Sequence, residues 1–240
     1  YKYFFSHART ALKYGLKHLD LKAGDGILLP EYICDVITHP LQELKLVQQF
    51  YSINDDFTPL WEELDSLVNV NTKAIMMVHY FGQPQNINSF LTFCNKNNLY
   101  LIEDNAHGYG GKLNSKELGT FGDIGISSPR KILNTYCGGI LWIKNGLLTY
   151  PNHIMNYPVN IIDRLKQKID NVNPKIKYSL LKTIKRRPKY ENPEAFHESI
   201  INDFSIDNFS LDSIRKTDLN EIRLYRQNLY FKLEDFAKKN

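Results

Sequence analysis

From Ser6 to Ile143 the chain switches between short, continuously apolar runs and longer stretches in which apolar residues recur every three or four positions. Ala8, Ala11, Leu12, Leu16 and Leu19 have the spacing of one helix face, with Ser6 placed as an N-cap. Lys22 to Gly26 reads as a turn and Ile27-Leu28-Leu29 as a buried strand closed by Pro30. A helix from Asp35 to Leu44 and a strand from Lys45 to Tyr51 follow, then a helix from Pro59 to Val68 with Leu60, Leu64 and Leu67 on one face. Ala74 to Val78 is apolar throughout, as a parallel strand covered on both faces should be. A helix over Ile87 to Lys96 precedes three further runs: Tyr100 to Ile102, Ile124 to Ile126 and Ile140 to Ile143. Strands alternating with helices imply crossover units, so the expected class is α/β, three layers α/β/α around a mostly parallel sheet.

Beyond Trp142 the pattern changes. Asp163 to Tyr190 is rich in Lys and Arg, and Leu219 to Lys238 reads as one long amphipathic helix. The expected organisation is a large domain over 1–150, a basic and mainly helical extension over 151–218, and a helix over 219–240.

Composition narrows the classes. With 240 residues and 42% hydrophobic content, the chain can bury a proper core, and a net charge of +4 names no partner. The basic segment has few aromatics and no recognisable nucleic-acid module, so nucleic acid is not an expected partner. Three cysteines, odd in number and without a CxxC pair or a Cys/His grouping, fit a reducing cytoplasm and no metal. No apolar run approaches the ~20 residues of a membrane helix and no charged-then-apolar leader opens the chain, so no membrane partner is expected. The chain begins at Tyr1 rather than Met, and residues upstream are expected.

Chemistry concentrates between Leu99 and Trp142. Ligands of open α/β sheets collect at the carboxyl ends of the strands. There the apolar runs deliver Glu103-Asp104 with His107, then Ser127-Ser128-Pro129-Arg130-Lys131, with Gly138-Gly139 before the next run. A pyridoxal phosphate site needs such a set: a lysine for the Schiff base, a carboxylate against the pyridinium nitrogen, and donors for the phosphate. Asp104 is the candidate carboxylate, although Glu103-Asp104 alone also reads as the start of a solvated loop. Lys131 is the candidate lysine, its neutral form favoured by burial beside Arg130; an isolated Arg-Lys is more often a surface pair. His107 stands to meet the cofactor's phenolic oxygen or ring, or is structural. Ser128, ahead of Ser127, and the helix start Ala8-Arg9-Thr10 are candidate phosphate donors.

The order and wording of these segments resemble the DegT/StrS sugar aminotransferases, of aspartate aminotransferase fold (fold type I). The likeness runs from Ser6 to Ile143. Ala8-Arg9-Thr10-Ala11-Leu12 occupies the place of the family's phosphate-binding turn, with Ala8 where Gly is usual. Pro30-Glu31-Tyr32-Ile33-Cys34 is similar to the strand end that covers the cofactor ring, with Cys34 at the aromatic position and Tyr32 close by. His79 to Pro84 is similar to the next strand end, Glu103 to Gly108 to the Asp and His motif, and Gly122 to Gly139 to the lysine segment. The resemblance implies an enzyme, a pyridoxal phosphate-dependent aminotransferase. It would pass an amino group from an amino acid, glutamate for preference, to a keto sugar linked to a nucleotide, in polysaccharide or amino-sugar biosynthesis. It also implies a homodimer, and a small C-terminal domain into which the 219–240 helix would lead. The alternatives are a catalytically degenerate or truncated relative that acts by binding, or a pyridoxal phosphate-dependent sugar dehydratase, in which a His replaces the lysine.

Overall fold

A computed structural model describes residues 1–149, 154–159 and 203–239. The basic stretch from Asp163 to Tyr190, and most of the 151–218 extension, lie outside these. Strands β1 (Lys2–Phe5), β2 (Gly26–Pro30), β3 (Val47–Tyr51), β4 (Thr72–Val78) and β5 (Tyr100–Asn105) alternate with helices α1 (Ala8–His18), α2 (Thr38–Glu43), α3 (Trp61–Leu67) and α4 (Ile87–Asn97). A two-strand hairpin, β6 (Lys112–Leu113) and β7 (Lys116–Glu117), precedes β8 (Ile124–Ser127) and β9 (Gly139–Ile143). The short β10 (Met155–Asn156) and β11 (Phe204–Ser205) are followed by α5 (Asn208–Lys216) and α6 (Leu219–Lys239).

One sheet joins nine strands in the order β10-β11-β1-β9-β8-β5-β4-β2-β3. The block from β3 to β8 is parallel, whereas β9 runs antiparallel to both β8 and β1. The two-residue period of the strands sorts the core into two layers. Ile27, Leu29, Met76 and Ile102 pack with Leu12 and Leu16 of α1 and Leu41 of α2 on one face. Leu28, Ile75, Met77 and Leu101 pack with Leu64 of α3 and Phe90 and Phe93 of α4 on the other. The fold is therefore α/β with helices covering both faces of a mostly parallel sheet.

Several boundaries differ from the sequence expectation, each for a physical reason. Ser6 does not cap α1; the N-cap is His7, which makes no side-chain cap bond. Ser6 instead bridges distant strands, its N–H donating to the Phe204 carbonyl at 2.9 Å and its carbonyl accepting from Gly138 N–H at 2.6 Å. β3 starts at Val47 because Lys45, at φ 56°, closes the turn after α2. β5 continues through Glu103-Asp104 to Asn105 because β4 and β8 go on pairing with it, Val78 opposite Asp104 and Ser127 opposite Asn105. The acidic pair is a buried strand end, not a solvated loop.

Gly139 explains the glycine pair. A Cβ there would lie 2.1 Å from the His7 carbonyl carbon and 2.5 Å from Ala8 N, so only glycine lets β9 pass under the start of α1. Gly139→Ala is expected to cost roughly 1–3 kcal/mol, as overpacking does. At about 2–4 °C per kcal/mol for a chain of this size, calorimetry should show the melting midpoint falling by several degrees.

Candidate functional site

After β3 the strand order reverses and proceeds through β4, β5 and β8, and a cavity of about 230 Å³ opens at the carboxyl ends of these strands. The start of α1 faces it through His7, Ala8 and Arg9, and the segment after β2 through Tyr32 to Cys34, Val36 and Ile37. Val78 to Phe81 after β4, Asp104 to His107 after β5, and Ser128, Arg130 and Lys131 after β8 complete it.

Asp104 reaches the cavity from the same face of β5 as Ile102, and its side chain accepts Ala106 N–H at 2.8 Å on Oδ1. Burial pushes its carboxyl above the usual carboxylate range, opposed by the Ala106 N–H and by the charges of Lys131, His107 and His79. This buried acid is underprovided with donors for its charge. It suits a cationic N–H arriving in the cavity.

Two imidazoles flank it. His107 Nδ1 accepts Phe81 N–H at 3.3 Å, which assigns its neutral-form proton to Nε2, and its ring stacks on Phe81 with centroids 6.1 Å apart. Burial, and then the Lys131 charge, hold His107 below the ordinary histidine value, against the pull of Asp104. His79, fully buried, accepts Gln85 N–H on Nδ1 at 3.1 Å and donates from Nε2 to Glu103 at 2.8 Å. Its own backbone N–H donates to the Asp104 carbonyl at 2.9 Å.

Glu103 points to the opposite side of β5 from Asp104. Besides His79, its carboxylate accepts backbone N–H from Gly119 at 2.5 Å, Phe121 at 2.6 Å and Gly122 at 3.1 Å. It fastens the 119–122 loop behind the strand that presents Asp104.

An aromatic wall closes one side. Tyr80 donates its hydroxyl to the Tyr32 carbonyl at 2.7 Å, and the Tyr32, Phe57 and Tyr80 rings lie within 4.9–5.9 Å of one another. Burial, reinforced by the Asp104 charge, pushes the Tyr80 hydroxyl well above its ordinary value. Phe81 adopts φ 54° and Gly82 φ 83°, and a Cβ on Gly82 would come within 3.1 Å of Gly108 Cα. That close approach binds the β4 turn to the β5 turn.

Of the residues expected from sequence, Lys131, Asp104, His107, Ser128, Ala8, Arg9 and Cys34 all line this one cavity. Thr10 does not. At about 100° per residue it is turned roughly 200° around α1 from Ala8, into buried surroundings. Ser127 faces away too, within 3.4 Å of the Asn105 amide nitrogen. The roles of Glu103, His79 and Tyr80 were not legible individually. Their only signal was position at strand ends.

The model of the DegT/DnrJ/EryC1/StrS aminotransferase family matches residues 4–158, and the chain belongs to that family. It is 31% identical over 124 residues to the GDP-perosamine synthase of Vibrio cholerae, covering 51% of this chain and 34% of that protein. It is 28% identical over 142 residues to a dTDP-4-dehydro-2,3,6-trideoxy-D-glucose 4-aminotransferase of Saccharopolyspora spinosa, covering 58% of this chain and 37% of that one. Among solved structures, the E. coli GDP-4-keto-6-deoxy-D-mannose-3-dehydratase with bound hydrated PLP superposes with a TM-score of 0.55 at 28% identity, over 60% of this chain and 40% of that one. The matched part spans between a third and two fifths of the length of these relatives.

Proposed function

We propose that this chain carries the cofactor site of a pyridoxal phosphate-dependent aminotransferase acting on a keto sugar linked to a nucleotide, with an amino acid, glutamate for preference, as donor. The observation that carries the reading is the convergence of Lys131, Asp104 and His107 on one cavity beside Ser128 and the start of α1. The donor set fits the group. Asp104 awaits a cationic N–H, Ser128 offers a hydroxyl, and the first turn of α1, with no acidic side chain, offers backbone N–H groups to a phosphate. When bound, pyridoxal phosphate supplies an electron-accepting ring and a carbonyl that condenses with amines.

In this reading Asp104 holds a proton on the ring nitrogen. Lys131 would anchor the group and move a proton at its Nζ, while His107 would orient the ring. Cys34 and the Tyr32–Tyr80 wall exclude water from one side. A homodimer in the cytoplasm belongs to the same proposal, and all three cysteines are free thiols. Sugar dehydration is the second reading, favoured by the dehydratase among the structural neighbours. The presence of Lys131 supports transamination.

Purified protein mixed with pyridoxal phosphate should gain a visible absorbance band that borohydride fixes to Lys131 by peptide mapping. A folded sample without a band, or a label on another lysine, would sink the proposal. Asp104→Asn should lower turnover about a hundredfold or more through loss of electrostatic support at the ring. Its effect on the cofactor-free fold should be opposite. Because the folded carboxyl is raised, the native state holds more protons than the unfolded state between the ordinary Asp value and the raised one, so stability falls as pH rises through that window. Urea unfolding at pH 4 and pH 7 should show that slope reduced in the variant.

A further inference from the structure

Lys131 sits in the loop that leaves the sheet after β8 and returns to it at β9. The near end of that loop is held by its own turn, but its far end is held by a helix from a remote part of the chain. Tyr136 N–H and Cys137 N–H both donate to Ser210 Oγ of α5, at 3.1 and 3.3 Å. The Cys137 thiol donates to Asp207 Oδ2 at 3.1 Å; burial pushes that thiol up to about 12, so it stays protonated and serves as a donor. The Tyr136 ring lies against Phe209 with centroids 5.1 Å apart.

Ser210 interrupts an apolar row. Ile206, Ser210 and Ile214, four positions apart, are all buried, and the two isoleucines join Cys137 and Ile140 in a cluster on which Ile132 and Leu133 pack. A fully buried hydroxyl in that row costs stability unless it is bonded. α5 does not need it as a cap: that residue is Asp207, whose Oδ1 accepts the Ser210 backbone N–H at 2.9 Å. Within the helix alanine would serve better. The hydrogen bonds that the hydroxyl oxygen accepts come from the loop instead. There the loop folds back on its own beginning. A Cβ on Gly138 would lie 3.4 Å from Ile214 Cδ1 and 3.6 Å from both Arg130 N and Pro129 Cβ. The clamped end thus rests against the residues that carry Lys131.

We propose that Ser210 is a positioning residue for Lys131: its hydroxyl holds the far end of the loop, which sets Pro129 and Arg130, and the amine beyond them, at the cavity. The inference rests on Lys131 as the cofactor-binding lysine proposed above and adds to it a side chain that does not line the cavity. Uptake of pyridoxal phosphate needs the amine, Asp104 and the phosphate donors held in one arrangement. A loosened loop therefore weakens uptake without removing any group that touches the cofactor.

The test compares the full chain carrying Ser210→Ala with wild type, at a temperature where circular dichroism shows both folded. Before cofactor is added, hydrogen exchange over 130–138 should be about tenfold or more faster in the variant, with β4 and α4 unchanged. On titration with pyridoxal phosphate the visible band should appear with a Kd about tenfold or more weaker, and borohydride should still fix it to Lys131. Ser213→Ala, which removes an exposed hydroxyl bonded to the Phe209 carbonyl on the same helix, should match wild type in both measurements. Should Ser210→Ala not fold, Ser210→Cys, whose thiol is a weaker acceptor, should move both readouts in the same direction. A variant that is less stable overall but exchanges over 130–138 as wild type does makes Ser210 a core residue only and overturns the proposal. Faster exchange with unchanged cofactor uptake overturns it equally. In either case a wild-type label on Lys131 leaves the cofactor reading standing. A wild-type chain with no band, or with the label on another lysine, removes that reading and this inference with it.

Discussion

Lys131→Ala is expected to remain folded, to give no visible cofactor band that borohydride can fix, and to lose turnover by four orders of magnitude or so, in keeping with catalytic nucleophile deletions. The fold should survive because Lys131 is exposed at the cavity rim, on a short turn with backbone hydrogen bonds of its own. Lys131 N–H donates to the Ser128 carbonyl at 3.0 Å, and Ile132 and Leu133 N–H to the Pro129 carbonyl at 2.8 Å. Removing the ammonium should move both neighbours upward. Asp104 loses a charge that favoured its ionised form, and His107 loses one that opposed its protonation. Lys131→Arg keeps the charge without an attachable amine, so it should hold these titrations near wild type and still lack the band. NMR titration of His107 in the three proteins separates charge from chemistry. A Lys131→Ala protein that kept both band and turnover would contradict the assignment.

Glu103→Gln should have the largest effect on stability. Glu103 is fully buried and accepts four hydrogen bonds, three from backbone N–H groups and one from His79. A carboxylate can accept at both oxygens, whereas an amide must turn its NH₂ toward one pair of donors. Whichever way the introduced amide turned, two N–H groups would face a donor with no water to replace the bond. Each buried group left unsatisfied costs about 1–3 kcal/mol, so the expected loss is roughly 3–5 kcal/mol, within the range for breaking a buried polar network. At about 2–4 °C per kcal/mol, the melting midpoint should drop by about ten degrees. Glu103→Ala offers no such donor clash but leaves all four N–H donors without an acceptor. A Gln variant within a degree of wild type would mean that the 119–122 loop does not depend on this carboxylate.

Much of the fold was legible because continuous apolar runs and three-to-four spacing announce parallel strands and their crossover helices, element by element from α1 to β5. β1 was not legible. Lys2-Tyr3-Phe4-Phe5 is too short to show a period, and its partners, Gly139–Ile143 and Ser205, are remote in sequence. The charged pair in β5 misled for the opposite reason: a carboxylate normally ends a buried run, and only the donors gathered around Glu103 make it tolerable there. That Asp104, His107, Ser128 and Lys131 share one cavity was legible because each follows an apolar run, and strand ends converge in such a sheet. His79, Tyr80 and Phe81 also follow a run, but their partners, the Glu103 carboxylate, the Tyr32 carbonyl and the His107 ring, lie on other segments, which no spacing within the sequence encodes. Thr10 was misplaced because a helix start names three residues and its rotation selects fewer.

The placement of β1 also bears on how the molecule assembles during synthesis. Its two neighbours in the sheet are β9 and β11, so β1 leaves the ribosome about 130 residues before its first partner exists. At 5–20 residues per second that interval is on the order of ten seconds, long compared with the formation of helices and local hairpins. The parallel block can gather meanwhile, but the β8 side of the sheet stays an open edge until β9 arrives with β1 alongside it. Closing that edge fixes the start of α1, and with it the cavity floor, as one of the last events of folding.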